Sequence, residues 1–294
     1  MSNKIAAEAA AWAMAKVGCP YSQEKRDQVG VFDCSSLVAR AYSAQGKRWR
    51  YGGSIPRSNQ EVYDDDFELL WPERYSEIGK QFGGTGVIDL AKQSGDLQFL
   101  CTDSSTSRSN HITHVAMVAD AKNIVHARGK AYGVCMNRIH HYAGKVCAVA
   151  RYNPNCTLRL GMKGWRTLAL QQKLNNLGAN LELDGEYSEA TASAVKVFQN
   201  TKSLSATGEA DSATLKALDL VENDFVCESE SIVRIIGETV NVRCGPGTEY
   251  ESVAIVRKDD TFPGIATDGW FPILFNGEIR WISEKYASLE QAAK

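Results

Sequence analysis

The pattern of apolar residues changes twice along the 294 residues of this chain, so no single fold class can account for all of it. Up to about residue 153, helical spacing comes first and short apolar runs of strand length follow it. These runs lie at 97–101, 114–118, 123–127 and 146–152. Helices followed by strands predict that residues 1–153 form an α+β domain.

The middle segment, residues 157–220, has the spacing of helices throughout. One apolar stripe runs from Trp165 to Leu177, and a second runs from Ala190 to Phe198. A third, shorter helix is predicted over 212–218. We therefore expect a small all-α domain of three helices.

The last segment, residues 231–290, consists of short β-prone runs separated by glycine and proline, as in Gly245-Pro246-Gly247. Such punctuation is typical of a small all-β barrel. The acidic stretch 221–230 before it is predicted to be a linker. The chain is therefore expected to be multidomain, with domains at 1–153, 157–220 and 231–290.

Charge and cysteine content argue against several kinds of function. With 33 basic and 35 acidic residues, the net charge of -2 provides no attraction for nucleic acid or for an anionic membrane. No apolar run is long enough for a membrane span. The eight cysteines include no Cys-x-x-Cys pair, so we expect no zinc or other metal site, and no cofactor. We expect a monomer.

The first residues could be mistaken for an export signal, because the run from Ala9 to Ala15 is small and apolar. Glu8 interrupts the apolar region, and Ile5 and Trp12 instead fit one face of an amphipathic helix. We therefore expect synthesis in the cytosol without a conventional export signal.

Residues 33–38, Asp33-Cys34-Ser35-Ser36-Leu37-Val38, place a cysteine just before an apolar run of helical spacing. Cys34 should therefore lie in the first turn of a helix, where unpaired backbone N–H groups favour an anion. A thiolate at such a position is a potential nucleophile. Free cysteines are often only buried core residues, so a catalytic role also requires a base.

The base can come from histidines on two neighbouring strands. His114 opens one apolar run and His126 closes the next, with Asp120 as a turn former between them. A hairpin centred on Asp120 would place His114 directly opposite His126, and any even register keeps both rings on one face. His126 could then orient His114, and His114 could pair with Cys34, as in acyl-transfer triads. His111 is close enough in sequence to be an alternative to His114.

Five short motifs follow one another in the first half of the chain. They are Gly18-Cys19-Pro20-Tyr21, Phe32-Asp33-Cys34-Ser35-Ser36-Leu37-Val38, Gly95-Asp96-Leu97, His114-Val115-Ala116-Met117-Val118 and Val125-His126-Ala127. In residue types and order they resemble the NlpC-type cell-wall cysteine peptidases, whose fold is papain-like. The resemblance implies Cys34 as the nucleophile, His114 as the base and His126 as the third, polar member of the triad. It also implies that Tyr21 helps to form the oxyanion site.

The same resemblance suggests how the substrate is bound. Asp33 and Ser35 match positions that, in several members, bind the free amine of the first L-alanine of the stem peptide. This chain departs from the family at Ser36, where glycine is usual, and at Ser94, where proline is usual. The stretch from 57 to 94 is also longer than in compact members, and could form a lid or a wall that sets specificity.

The two remaining segments resemble cell-wall-binding modules. Segment 157–220 is similar to peptidoglycan-binding three-helix domains, through residues such as Leu170-Gln171, Asp184-Gly185, Phe198-Gln199 and Gly208. Segment 231–290 is similar to bacterial SH3-like domains, through the run from Asn241 to Thr248 with Trp270 and Trp281. A helical spacer and a fold-stabilising module without a ligand are the alternatives.

Taken together, these resemblances imply a modular peptidoglycan hydrolase with the bacterial cell wall as its partner. The implied target is the bond between γ-D-glutamate and the diamino acid of the stem peptide. The bond between N-acetylmuramic acid and L-alanine is an alternative target. An inactive wall-binding protein and an acyltransferase using the same thiol also stay open. The expected absence of an export signal fits a phage or prophage endolysin, or a tail-associated lysin, that reaches the wall by another route.

Overall fold

The computed structural model describes residues 2–47, 49, 55–102, 111–220, 231–243, 247–263, 269–275 and 278–291. The chain divides into two compact units, the first ending at Lys163 and the second beginning at Gly164. Lys163 belongs to the first unit because its N–H donates to the carbonyl of Tyr63 (2.7 Å) and its carbonyl accepts from the N–H of Asp65 (3.1 Å). The linker expected at 221–230 lies outside the described residues.

The first unit is built on one antiparallel sheet of six strands, in the order β1-β6-β2-β3-β4-β5. The strands are β1 Phe67–Trp71, β2 Leu97–Leu100, β3 His114–Asp120, β4 Asn123–Gly129, β5 Gly133–Arg138 and β6 Val146–Tyr152. Four helices accompany the sheet: α1 Ser2–Met14, α2 Cys34–Ser43, α3 Ser58–Glu61 and α4 Thr85–Ile88. Apolar runs indicate β2, β3, β4 and β6. Strand β5 has a weaker apolar pattern, and β1 is not among the predicted strands although four of its five residues are apolar.

Small side chains let α1 pack closely on α2 and β3. Ala6, Ala9, Ala10 and Ala13 form the buried face of α1. A Cβ atom on Gly95 would come within 2.5 Å of the carbonyl oxygen of Ala6, and Gly95 has a φ of +93°. Only glycine fits at this position, so packing explains the glycine of the Gly95-Asp96 motif.

The stretch from 57 to 94 is part of the core of the first unit. It contributes α3, β1 and α4, and the side chains of Phe67 and Ile88 are fully buried. Strand β1 pairs with β6 at the edge of the sheet. Ser94 donates its hydroxyl to the carbonyl of Ala119 at 2.9 Å. This stretch therefore completes the sheet and is held in place by it.

Three helices open the second unit: α5 Trp165–Asn176, α6 Glu189–Thr201 and α7 Ser212–Ala217. Ser188 caps α6 by accepting from the N–H of Thr191, and Asp211 caps α7 by accepting from the N–H of Thr214. Such caps satisfy backbone donors that have no partner within the helix.

A buried glutamine arrangement occurs twice in these helices. In each copy the amide oxygen accepts from a glycine N–H, at 2.8 and 2.9 Å, and the amide nitrogen donates to the next residue's carbonyl, at 3.0 and 2.9 Å. The amide nitrogen also reaches a threonine hydroxyl. The residues are Gln171, Gly185, Glu186 and Thr191 in one copy, and Gln199, Gly208, Glu209 and Thr214 in the other. The short sequences Gly-Glu-x-x-x-Ala-Thr at 185–191 and 208–214 reveal this internal repeat.

Two small antiparallel sheets follow, in the strand orders β10-β7-β13 and β11-β12-β8-β9. Their strands are β7 Ser231–Ile235, β8 Thr239–Arg243, β9 Ser252–Arg257, β10 Thr261–Pro263, β11 Trp270–Phe275, β12 Glu278–Ser283 and β13 Ala287–Gln291. Val233, Val242 and Ile273 lie in a shared apolar core. Residues 244–246, in the expected glycine and proline turn, lie outside the described residues.

Trp281 links these sheets to the helices of the same unit. Its side chain is 1% exposed and forms a buried cluster with Leu168, against which Trp165, Leu183 and Trp270 pack. The second unit therefore has an apolar contact between its helical and β-rich parts. Across the described part of the chain, no helix has the length and apolarity needed to cross a bilayer.

Candidate functional site

Cys34 is the first residue of α2 and follows a well-formed helix cap. The Asp33 carboxylate accepts from the N–H of Ser36 at 2.7 Å, and the Ser36 hydroxyl accepts from the N–H of Asp33 at 2.8 Å. This reciprocal capping box fixes the start of the helix. It also gives a structural role to Ser36, at the position where the NlpC-type peptidases that the sequence resembles usually have glycine.

The Cys34 thiol is protonated at neutral pH in this structure. Its pKa is raised to about 12, first by burial and then by the nearby carboxyl groups of Asp33 and Glu61. The backbone N–H groups of Val115 and Ser35 act in the opposite direction. The helix start alone predicts a thiolate, but with only 8% of the residue exposed, loss of hydration outweighs the helix N-terminus.

Because the N–H of Val115 lowers the pKa of Cys34, the sulfur lies close to the beginning of β3, where His114 is the first residue. Helix α2 packs on β3 and β4, so the helix that holds the thiol lies on the hairpin that holds both histidines. Proximity of the nucleophile to the histidine pair is therefore a consequence of tertiary packing. Cys34 and His114 are separated by 80 positions in the sequence, so only folding can bring them together.

The hairpin of β3 and β4 has a different register from the one centred on Asp120. Met117 pairs with Val125 and Val118 pairs with Ile124, with an irregularity before Asp120. The pairing is shifted by two residues, because the turn takes an irregular form at Asp120. An even shift keeps His114 and His126 on one face, and their rings meet diagonally.

The two histidines are joined by a direct hydrogen bond. Nε2 of His114 lies 2.7 Å from Nδ1 of His126, and Nε2 of His126 lies 2.8 Å from Oδ1 of Asn137 on β5. The amide oxygen of Asn137 can only accept, so His126 carries its hydrogen on Nε2 and accepts at Nδ1. His114 must then donate from Nε2, which leaves its Nδ1 as a proton acceptor. The network therefore leaves His114 able to accept a proton at Nδ1.

Both imidazoles are neutral at physiological pH. Burial lowers the pKa of His114 to about 3, with His126 and Arg128 adding to the effect. Burial also lowers the pKa of His126 to about 4, although the bond to Asn137 opposes this change. The ring of Tyr142 covers the pair, with centroids 6.1 Å from His114 and 5.6 Å from His126. The region therefore contains a neutral thiol at the start of α2 and a pair of neutral imidazoles on β3 and β4.

Tyr21 lies on the segment that leads into the helix start. It forms an isolated parallel β-bridge with Phe32, two residues before Cys34. This bridge brings the tyrosine backbone beside the nucleophile motif. The part of Tyr21 in an oxyanion site stays a prediction.

The side chains of Asp33 and Ser35 are hydrogen-bonded to each other and to Arg26. The Ser35 hydroxyl donates to Oδ1 of Asp33 at 3.0 Å, and Nη1 of Arg26 lies 3.1 Å from Oδ2 of Asp33. Asp33 and Ser35 are both buried, at 3% exposure each. Their predicted role in binding a substrate amine also stays a prediction.

Sequence reasoning missed four residues of this region: Arg26, Glu61, Asn137 and Tyr142. Asn137 is diagonal to His126 across the β4–β5 pair, in which His126 faces Cys135. Residues 133–138 show no polar alternation, so no local signal in the sequence indicates it. Glu61 is fully buried, and neither carboxyl oxygen has a hydrogen-bond partner. Its proximity depends on long-range packing, for which the sequence has no local signal.

A groove of about 410 Å³ lies on the four-stranded side of the β-rich part of the second unit. Two aromatic residues and two cationic residues line it together with hydroxyl and amide groups. The lining residues are Thr239, Val240, Asn241, Arg243, Thr248, Trp270, Ser283, Lys285 and Tyr286. Among the residues the structure describes, no three His, Cys, Asp or Glu side chains are grouped to hold a metal ion.

Several solved structures have distant similarity to this chain. NlpC2 from Trichomonas vaginalis is 23% identical over 50% of this chain and 46% of its own, with a TM-score of 0.35. The NlpC/p60 domain of peptidoglycan hydrolase SagA is 18% identical over 50% of this chain and 97% of its own, with a TM-score of 0.32. Ly7917 is 12% identical over 98% of both chains, with a TM-score of 0.28. The matched region is less than half of the Trichomonas chain. These similarities are too distant to indicate a function, so the function has to be inferred from the residues of the site.

One segment has a clear sequence match. No curated protein is significantly similar to the chain. Residues 166–218, however, match the family described as "Putative peptidoglycan binding domain". The match covers the three helices of the second unit, including both copies of the buried glutamine arrangement.

Proposed function

We propose that this protein is a peptidoglycan hydrolase. Its first unit cleaves an amide bond of the wall peptide through a covalent intermediate on Cys34, and its second unit binds the wall. The observation that carries the proposal is the hydrogen-bonded series His114–His126–Asn137 beside a helix-start cysteine. A nucleophile, a base and a group that orients the base are the three parts that nucleophilic catalysis requires.

Acylation begins from the neutral pair. Cys34 gives its proton to Nδ1 of His114 as the sulfur attacks the amide carbonyl, so the thiolate forms only when substrate is present. The resulting imidazolium is stabilised through its Nε2–H bond to His126, whose own Nε2–H bonds to Asn137. The N–H of Cys34, at the first turn of α2, has no acceptor within the helix and can stabilise the oxyanion, together with Tyr21.

The imidazolium then protonates the leaving amine, the carbon–nitrogen bond breaks, and an acyl-enzyme remains on Cys34. Water, deprotonated by His114, attacks this thioester, and the proton returns to sulfur as the acid product leaves. Every proton in the cycle moves between Cys34, His114, the substrate and water. His126 and Asn137 hold the base in the tautomer that this cycle needs.

The target bond we propose joins γ-D-glutamate to the diamino acid of the stem peptide. An amidase that cleaves between N-acetylmuramic acid and L-alanine would use the same chemistry. Mass spectrometry of digested wall distinguishes them, since the first reaction exposes an amine on the diamino acid and the second exposes one on L-alanine. Fragments with a new amino end on L-alanine would overturn the proposed bond.

The second unit is proposed to keep the enzyme on its polymer. The match of residues 166–218 to a peptidoglycan-binding family supports this role for the helices. The groove on the β-rich part supports a second, SH3-like wall-binding module, because aromatic faces suit sugar rings and Arg243 and Lys285 suit carboxylates. Two weak sites on one chain can raise avidity by roughly a hundredfold or more.

The proposal is tested by the clearing of purified bacterial walls. Wild type should reduce turbidity, whereas Cys34→Ala and His114→Ala should lose at least about a thousandfold in rate. Cys135→Ala is the matched control, because this thiol lies 3.8 Å from Nε2 of His126 but is not at the helix start. All variants should still sediment with walls. Equal clearing by wild type and Cys34→Ala would overturn the hydrolase, and transfer of the acyl group to an added amine in place of water would favour an acyltransferase.

A further inference from the structure

A guanidinium group is fixed next to the nucleophile motif. Nη1 of Arg26 lies 3.1 Å from Oδ2 of Asp33 and 3.5 Å from the hydroxyl of Ser35, and Nη2 lies 3.2 Å from the carbonyl oxygen of Ile55. The Arg26 side chain is 23% exposed and that of Asp33 is 4% exposed. Arg26 therefore covers the carboxylate from the solvent side and presents a partly exposed cation near Cys34.

Both oxygens of Asp33 already have partners. Oδ1 accepts from the N–H of Ser36 at 2.7 Å and from the hydroxyl of Ser35 at 3.0 Å, while Oδ2 accepts from Arg26. Since Asp33 is only 3% exposed and Arg26 lies against Oδ2, an ammonium group that pairs with this carboxylate must compete with Arg26 for it. The guanidinium would then lose its carboxylate while remaining close to a second cation, and like charges brought together disfavour binding.

Glu61 does not supply a replacement carboxylate. It is the other carboxyl group close to both Cys34 and Asp33, and its pKa is raised well above its usual value, mainly by burial. Burial therefore disfavours a negative charge on Glu61. The Asp33 carboxylate is already paired with Arg26, so neither group offers an unpaired negative charge to a substrate amine.

We propose that Arg26 takes the place that a substrate ammonium would otherwise occupy beside Cys34, so that the protein acts on stem peptides whose amino end is acylated. An acylated end is uncharged and brings a carbonyl oxygen, which can accept a hydrogen bond from the partly exposed guanidinium of Arg26. A planar guanidinium with five donors suits such an acceptor. Peptides still attached to the glycan have this form, whereas released peptides have a free amine. This inference rests on the proposed hydrolase function.

The test compares two peptides that differ only at the amino end. L-Ala-γ-D-Glu-diamino acid-D-Ala and its N-acetyl derivative are made with lysine and with meso-diaminopimelate, and kcat/KM is measured by separation of the products. For wild type, the acetylated peptide should be favoured by about tenfold or more, since the free ammonium meets Arg26. Because the ratio is measured on one protein sample, the fraction of active enzyme cancels.

Two variants make the test specific to the charge. Arg26→Met removes the cation and frees Asp33, so the free-amine peptide should gain and the ratio should fall to about one or below. Arg26→Lys keeps the charge and should keep the preference for the acetylated peptide. A wild-type preference for the free amine, or an unchanged ratio in Arg26→Met, would overturn the inference while leaving the hydrolase intact. If wild type cleaves neither peptide and clears no wall, the proposed function itself fails, and the inference fails with it.

Discussion

His114 and His126 are joined ring to ring, with Nε2 of the first 2.7 Å from Nδ1 of the second. The bond is diagonal across the β3–β4 hairpin, and Asn137 on the third strand completes it at 2.8 Å. The bond to Asn137 fixes the tautomer of His126, and the bond to His126 fixes the tautomer of His114. Nδ1 of His114 is thereby left as a hydrogen-bond acceptor. The base that we propose therefore depends on three adjacent strands, and four variants can separate their contributions.

Replacing the two histidines should have unequal effects. His114→Ala removes the proton acceptor, and kcat on soluble wall peptides should fall by about a thousandfold or more. His126→Gln keeps a side-chain oxygen that can accept from His114, and kcat should fall by only about ten- to a hundredfold with KM nearly unchanged. Circular dichroism provides the control for folding. If His126→Gln is as inactive as His114→Ala, His126 is not merely an orienting residue.

Asn137 should act through His126 without touching substrate. Asn137→Ala removes the acceptor that sets the tautomer of His126, so kcat should fall about tenfold or more while KM stays the same. Asn137→Asp supplies an anion that favours the imidazolium, and the acid limb of its kcat profile should move to higher pH than in wild type. An unshifted acid limb in Asn137→Asp would show that position 137 is not coupled to the base.

The Cys34 thiol should titrate only at high pH in the free enzyme. Its pKa of about 12 and the low pKa of His114, about 3, predict that alkylation by iodoacetamide rises about tenfold per pH unit from pH 6 to 9. A preformed thiolate–imidazolium pair would instead give a plateau across this range. Mass spectrometry of the peptide that contains Cys34 measures the rate separately from the other cysteines. A plateau would contradict the neutral resting pair.

Buried Glu61 should make the protein less stable as pH rises. Its folded-state pKa lies well above the usual value of 4.5, so below pH 4.5 the carboxyl is protonated in both states and has no such cost. Above pH 4.5 the unfolded chain releases the proton while the folded chain retains it, so the stability falls with rising pH until the folded-state pKa is passed. Glu61→Gln removes this effect.

Urea unfolding at a series of pH values measures the difference. The free energy of unfolding of Glu61→Gln should exceed that of wild type by an amount that grows from pH 4 to pH 8. Glu24→Gln, at an exposed position, is the control and should follow wild type. A constant difference between Glu61→Gln and wild type across the series would contradict a raised pKa for Glu61.

The repeated glutamine arrangement should be a major source of stability in the helical part of the second unit. Gln199→Ala leaves the N–H of Gly208 and the carbonyl of Glu209 without a side-chain partner, and each such loss costs about 1–3 kcal/mol. Asn200→Ala, the next residue on α6 and exposed, should change the stability by less than about 0.5 kcal/mol. Thermal unfolding of the full chain compares the two. Equal stability of both variants would show that Gln199 does not hold this segment.

Much of the site is accessible to sequence reasoning. The start of α2 at Cys34 follows from Asp33 and the apolar run after it, because a helix cap involves only a few consecutive residues. The common face of His114 and His126 follows from the alternation of strands, which survives the two-residue difference in register. Asn137 is different, because β5 has a weak apolar pattern and its role depends on which strand it pairs with.

Local sequence is therefore enough to establish the start of a helix with a cysteine, a pair of strands with two histidines, and a helical segment with a repeated Gly-Glu-x-x-x-Ala-Thr pattern. Local sequence does not determine the ionisation of these side chains or which side chains they contact. Cys34 and His114 are neutral because packing removes water from both, whereas Arg26 reaches Asp33, seven positions further along the chain, through a contact that the apolar pattern does not reveal. Hydration is a property of the folded chain, and in this protein it sets the ionisation of Cys34 and His114.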